Sequence, residues 1–289
     1  MSGTVGIVGA GRMGTAFAMR LAGMGHPLRI WNRSPGRMAE AVAAGAVAST
    51  LPDVADCDVI LFSLADGAAS MSVMERMATA GIGGRLLIEM STLRPDDAES
   101  LARMAAGAGA EFVHCPVGGT VAPALKGQLL GMAGGSDAAV DRAMPLLLQL
   151  CRRVEKVGSP AAAARMKLAV NLPLAVYWHT LGESLRLLRG AGIDPELAIS
   201  LIADSSAGPT VLRNRAPVVV ETLRGRDQPG SFDLAGLAKD LRLAVELVAS
   251  DGDSLALAAT ALRGYDAILS PATAGLDGAT LSRLIAQAD

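Results

Sequence analysis

Short, nearly unbroken apolar runs recur through the first half of the chain, separated by amphipathic stretches. Thr4–Val8, Pro27–Trp31, Asp58–Leu64, Arg85–Met90, Glu111–His114 and Leu129–Ala133 read as strands. Runs such as Val59-Ile60-Leu61-Phe62 lack the polar alternation of a half-exposed strand. They are expected to be central strands of a parallel sheet, buried on both faces. The intervening stretches repeat their hydrophobic positions with helical period, so strand and helix alternate as in a doubly wound α/β domain.

Beyond Gly158 strand signals largely vanish. Helical periodicity runs from Pro160, well suited to a first turn, to near Arg189, where Gly190 and Gly192 provide a stop. A continuous helix of that length spans about 45 Å, enough to join two domains. Pro173 lies inside it, removes one backbone hydrogen bond and is expected to kink it. Shorter helices follow, and Arg224–Ser231 reads as an exposed loop. The predicted division is an α/β domain over 1–158 and an all-helical domain over 159–289, joined by the long helix.

Composition narrows the possible functions. Hydrophobic residues make up 51% of the chain but aromatics only 3%, which suits helices packed closely through small side chains. A net charge of −2 without a sustained basic face argues against nucleic acid as a partner. No run of eighteen apolar residues is free of charge, so no membrane span is expected. The chain enters its first strand without a signal-like segment, and a cytoplasmic location is the expectation. Cys57, Cys115 and Cys151 are far apart, and the acidic residues show no ligand spacing. Neither a disulfide framework nor a metal site is expected.

The chemistry starts at Gly9-Ala10-Gly11-Arg12-Met13-Gly14, between the first apolar run and a helix. Strand, tight glycine turn and helix together form a Rossmann-type dinucleotide fingerprint. Gly9 permits the turn, Gly11 lets backbone N–H groups approach a pyrophosphate above Arg12 and Met13, and Gly14 allows close packing. The second strand ends in Asn32-Arg33-Ser34, where an NAD site usually carries an acidic residue. Arg33 can pair with a 2′-phosphate, Ser34 can add a hydrogen bond and Asn32 can hold a ribose oxygen. NADP(H) is therefore the expected cofactor, with NAD(H) possible. Ligands collect beyond the carboxyl ends of such strands, which makes Leu64, Ser91, Thr92 and the stretch from Pro116 to Thr120 further candidates.

Taken together, these motifs resemble the β-hydroxyacid dehydrogenase family, which includes 3-hydroxyisobutyrate and tartronate semialdehyde reductases, and their 6-phosphogluconate dehydrogenase relatives. The resemblance covers the whole chain. Besides the glycine turn, Ser91-Thr92 matches the family's Ser-Thr pair. Cys115-Pro116-Val117-Gly118-Gly119-Thr120 occupies the place of the family's Ala-Pro-Val-Ser-Gly-Gly substrate turn. Lys167 and Asn171 match its catalytic Lys-x-x-x-Asn. Lys239-Asp240-Leu241, following Phe232, matches a Lys-Asp-Leu stretch that closes over the nicotinamide. The resemblance implies catalytic Lys167 and Asn171; substrate contacts from Ser91, Gly118, Gly119 and Thr120; and cofactor contacts from Leu64, Thr92, Phe232 and Lys239. It further implies a homodimer or homotetramer. The chain departs from the family at Gly118, where serine is usual, and at Thr120, where glycine is usual.

The residues support that reading independently. Carbonyl reduction needs a proton or compensating charge at oxygen, and a lysine ammonium supplies either. Asn171, four residues beyond Lys167, shares its helix face and can orient it or the substrate hydroxyl. Successive N–H groups at Gly118, Gly119 and Thr120 can hold a carboxylate. The expected reaction interconverts a small β-hydroxy acid and its semialdehyde or keto form. An imine reductase on the same scaffold and a non-catalytic NADP-binding sensor are the alternatives. Lys167 counts against the first, and Lys167 with Asn171 against the second. His114, Cys115, Tyr177, Trp178 and His179 are given no catalytic role.

Overall fold

The computed structural model describes residues 3–288. One compact unit runs to Lys167 and a second begins at Leu168. In the first, strands β1 (Val5–Val8), β2 (Leu28–Trp31), β3 (Val47–Ala48), β4 (Val59–Phe62), β5 (Leu86–Glu89), β6 (Glu111–His114), β7 (Val117–Gly118), β8 (Leu129–Gly135) and β9 (Cys151–Gly158) form one sheet. Their order is β3-β2-β1-β4-β5-β6-β8-β7, with β9 paired to β8. Helices α1 (Arg12–Gly23), α2 (Ala39–Ala43), α3 (Leu51–Ala55), α4 (Gly67–Ala80), α5 (Pro95–Gly107), α6 (Val121–Leu125) and α7 (Asp137–Leu150) lie between the strands in sequence.

The unbroken apolar runs have the cause expected of them. Ile7, Leu61, Ile88 and Val113 enter one core, while Val8, Phe62, Leu87 and Phe112 enter another. Successive strand residues point to opposite faces, so both faces of the central strands are covered. The sheet is mixed rather than wholly parallel, because β8 runs antiparallel to β6 and β7. Strands β3, β7 and β9 are additions to the sequence reading. The first two are only two residues long, and β9 carries exposed Arg152, Arg153, Glu155 and Lys156 instead of an apolar run. Such charges suit an edge strand.

Helix α8 (Pro160–Arg186) contains the boundary between the units and continues through Pro173. The second unit adds α9 (Pro195–Asp204), α10 (Thr210–Leu223), α11 (Leu234–Ser250), α12 (Ala256–Ile268) and α13 (Gly278–Gln287). Its core gathers Trp178, Leu181, Leu212, Leu237, Leu241 and Tyr265. The Tyr265 hydroxyl satisfies the Ala175 carbonyl at 2.9 Å, which makes its burial affordable. Among the described residues no helix is long and apolar enough to cross a membrane, and no group of potential ligands could hold a metal ion.

Candidate active site

The strand order reverses around β1 and β4, so the crevice of an open α/β sheet falls at their carboxyl ends. The glycine turn is built there. Gly9 has a φ of +103°, and a Cβ on it would lie 2.2 Å from the Ser63 carbonyl oxygen. A Cβ on Gly14 would lie 2.0 Å from the Gly9 oxygen. At Gly11 a Cβ would meet nothing within 4 Å. Two of the glycines are therefore required by the protein's own packing, whereas Gly11 faces open space. The first turn of α1 carries no acidic side chain, which suits an anion at the positive end of its dipole. These features fit a dinucleotide pyrophosphate over Gly11, Arg12 and Met13.

Asn32, at the end of β2, has a structural task besides the one expected. Its Oδ1 accepts the Ala10 N–H at 3.0 Å, and its Nδ2 donates to the Ser34 carbonyl at 2.9 Å. The amide thus ties the glycine turn to the second strand. Arg33, Ser34 and Arg37 are exposed on the segment that follows, and neither guanidinium has an ion-pair partner among the described residues. Beside them the Arg76 guanidinium lies 5.3 Å from the centre of the half-buried Trp31 ring.

The ends of β4 and β5 are joined through a buried serine. Ser91 Oγ accepts the Leu64 N–H at 2.8 Å, while the Ser91 N–H donates to Glu89 Oε1 at 2.8 Å. Ser91 thereby fixes the segment after β4 and keeps a hydroxyl proton to donate. Thr92 follows it, half-buried.

The turn after β7 meets the lysine. Lys167 is only 8% exposed, and its Nζ donates to the Val117 carbonyl at 2.8 Å. The ammonium is therefore held at the entrance to Gly118-Gly119-Thr120. Gly119 has a φ of +120°, which side chains rarely tolerate. Gly118 is different: its φ is not positive, and a Cβ would meet Leu130 at an ordinary 3.6 Å. The absence of the family's serine is not forced by the backbone. The Thr120 hydroxyl makes no hydrogen bond among the described residues, although Thr120 stands at the N-cap of α6.

In the second unit Asn171, 5% exposed, donates through Nδ2 to Asp240 Oδ2 at 2.6 Å. Lys239 Nζ lies 3.5 Å from the other oxygen of Asp240. Phe232 packs beside Gly236, where a Cβ would approach its ring to 2.9 Å. Asp240 is the residue that sequence reasoning named in a motif but left without a task. The signal was present, since Leu237 and Leu241 place it on the buried face of α11. Asp240→Ala leaves the Asn171 amide buried without this acceptor and is expected to cost about 1–3 kcal/mol. Thermal unfolding checks this; an unchanged Tm would mean that the amide finds another partner.

The cysteines lack reactive surroundings. All three are buried; burial pushes Cys57 up to about 11, Cys151 up to about 12, and Cys115 higher still. None is a thiolate nucleophile near neutral pH.

Comparison with known proteins matches residues 4–158 to the NAD binding domain of 6-phosphogluconate dehydrogenase. Residues 161–285 match the family described as NAD-binding of NADP-dependent 3-hydroxyisobutyrate dehydrogenase. The Arabidopsis thaliana glyoxylate/succinic semialdehyde reductase 1 is 27% identical, over 94% of this chain and 95% of its own. A probable mitochondrial 3-hydroxyisobutyrate dehydrogenase of Dictyostelium discoideum is 30% identical, over 93% and 86% of the two chains. Among solved structures, the 3-hydroxyisobutyrate dehydrogenase of Mycobacterium tuberculosis with L-serine has a TM-score of 0.88, at 26% identity and 99% coverage of both chains.

Proposed function

Because the chain belongs to the β-hydroxyacid dehydrogenase family, we propose that it is an NADP(H)-dependent oxidoreductase interconverting a small β-hydroxy acid and its semialdehyde or keto form. The observation that carries this reading is the buried Lys167 ammonium, held on the Val117 carbonyl at the entrance to the Gly118–Thr120 turn.

NADPH, when bound over the glycine turn, supplies the hydride. In the direction of reduction the carbonyl π pair moves onto oxygen, and Lys167 gives that oxygen a proton from Nζ. The resulting neutral amine regains its proton from water. Before transfer the ammonium stabilises the growing negative charge, and its tie to Val117 keeps it in place. The N–H groups of Gly119 and Thr120 hold the substrate carboxylate, with the Thr120 hydroxyl as a further donor, whereas the Gly118 N–H is directed to Leu130 in the β7–β8 pairing. Ser91 offers its remaining proton to the same substrate. Asn171 lies one helical turn beyond Lys167 and is anchored by Asp240.

Arg33 is the residue proposed to select NADP(H). A charge-assisted contact to the 2′-phosphate contributes about 1.5–3 kcal/mol, or roughly a 10–100-fold preference. Arg33→Asp is expected to lower kcat/KM for NADPH by that factor and to spare NADH. Equal loss with both cofactors would remove Arg33 from this role.

The reaction is tested by following NADPH and NADH oxidation at the nicotinamide absorbance. The panel holds succinic, methylmalonic and tartronic semialdehydes, glyoxylate and several cyclic imines. Turnover of an acidic aldehyde is the expected result. Turnover of imines alone, or tight NADPH binding without turnover, would overturn the proposal.

A further inference from the structure

Gly118 is a glycine that neither the backbone nor the packing demands. Its φ is not positive, and the three atoms nearest to a Cβ there all belong to Leu130, at 3.6–3.9 Å. Gly119 differs, with a φ of +120° and a Cβ that would approach Leu129 to 2.7 Å. The space over Gly118 is therefore open, and its place in the sheet decides what meets it.

Strand β7 ends the strand order, so one of its edges is free. Its antiparallel register sets Val117 against Gly131 and Gly118 against Leu130. The Met132 N–H donates to the Pro116 carbonyl at 3.1 Å, and hydrogen-bonded and non-bonded pairs alternate from there. Gly118 thus turns its N–H and carbonyl to Leu130, while the Val117 carbonyl and the Gly119 N–H turn to the free edge. On that edge the Val117 carbonyl holds Lys167 Nζ at 2.8 Å. A proton donor and a carboxylate donor therefore stand on either side of the Gly118 Cα. A β-oxo acid with its carbonyl at Lys167 and its carboxylate at Gly119 lays the carbon between them over Gly118.

The missing side chain also lies on the face that Lys167 reaches. Leu129 and Ala133 of β8 enter the core, so Leu130 and Gly134 face the opposite side. There a Cβ on Gly134 would meet Ala163 of α8 at 3.0 Å, and Lys167 follows one turn further on. Gly118, opposite Leu130 in register, shares that face, and Leu130 is only half-buried. The strand leading into this edge is anchored. The ring of fully buried His114 lies 3.1 Å from the Ser91 oxygen and 3.0 Å from the Pro160 oxygen.

We propose that Gly118 and Leu130 form an apolar notch that selects β-hydroxy acids carrying an alkyl group of two or three carbons beside the carboxylate. The first carbon of that group stays above Gly118. The second takes the place a Cβ would occupy, in contact with Leu130. This rests on the reductase reading above and names its substrate class.

The test is oxidation of 3-hydroxypropanoate, 3-hydroxy-2-methylpropanoate and 2-(hydroxymethyl)butanoate, with NADP+ and separately with NAD+. The three acids differ by one carbon at a time at the probed position. Wild-type kcat/KM is expected to be at least about tenfold higher for the ethyl-bearing acid than for the unsubstituted one, with the methyl-bearing acid between them. Gly118→Ala places a methyl in the notch, and Leu130→Phe fills it from β8. Each is expected to lower the ratio of ethyl-bearing to unsubstituted kcat/KM by about tenfold or more. A general defect in folding lowers both values together, so the ratio reads the notch. A smaller wild-type ratio, or a ratio unmoved in either folded variant, overturns the notch. If Leu130→Phe does not fold, Gly118→Ala decides, because its surroundings accept a methyl. No oxidation of any of the three acids overturns the reductase reading and the notch with it, so the two failures are distinct.

Discussion

Lys167→Met is expected to lower kcat for aldehyde reduction about a thousandfold, within the range typical of a positioned general acid. Methionine keeps most of the stem, so the apolar packing of α8 survives. What disappears is the proton donor and the charge beside the developing alkoxide. The Val117 carbonyl also loses its donor, costing about 1 kcal/mol of stability. NADPH affinity should be unchanged, because the proposed pyrophosphate contacts come from the glycine turn. Steady-state kinetics combined with a fluorescence titration of NADPH separate these effects. A fall in kcat below tenfold would remove Lys167 from the chemistry, and a matching loss of NADPH affinity would reassign it to binding.

The glycines of the first turn should separate folding from binding. Gly14→Ala places a methyl 2.0 Å from the Gly9 carbonyl oxygen, which belongs to a turn already constrained by β1 and β2. Overpacking of this kind costs about 3 kcal/mol, lowering Tm by about 6–12 °C in a domain of this size. Gly11→Ala meets no protein atom within 4 Å. Its backbone, with φ of −76°, accepts alanine, so stability should change by less than about 1 kcal/mol. NADPH affinity should nevertheless fall at least tenfold, since the methyl occupies the proposed approach of the pyrophosphate. Thermal unfolding and NADPH titration of both variants provide the check. Undiminished affinity in Gly11→Ala would place the cofactor elsewhere.

Much of the architecture was legible because its causes are local. The doubly buried strands announced themselves through unbroken apolar runs, and the turn through glycines whose spacing the packing demands. The edge strand β9 was hidden because its exposed positions carry Arg152, Arg153, Glu155 and Lys156, and the antiparallel setting of β8 leaves no mark on strand periodicity. At the candidate site, Lys167 and Asn171 stood out by their spacing on one helix and by resemblance. Asp240 was visible as an acid on an apolar helix face, but its partner was not. His114 and Glu89 read as polar endings of apolar strands, and nothing local distinguishes them from residues that simply reach water.

The sequence by itself thus determined the doubly buried strands, the glycine turn and the helix that carries the lysine, because each depends on residues within a few turns of one another. The tertiary structure alone decided which polar groups meet. Lys167 and Val117 are 50 residues apart, His114 and Pro160 are 46 apart, and Asn171 and Asp240 are 69 apart. Such partners are selected by sheet register and helix packing, which bury the groups together and make an unpaired donor or acceptor costly.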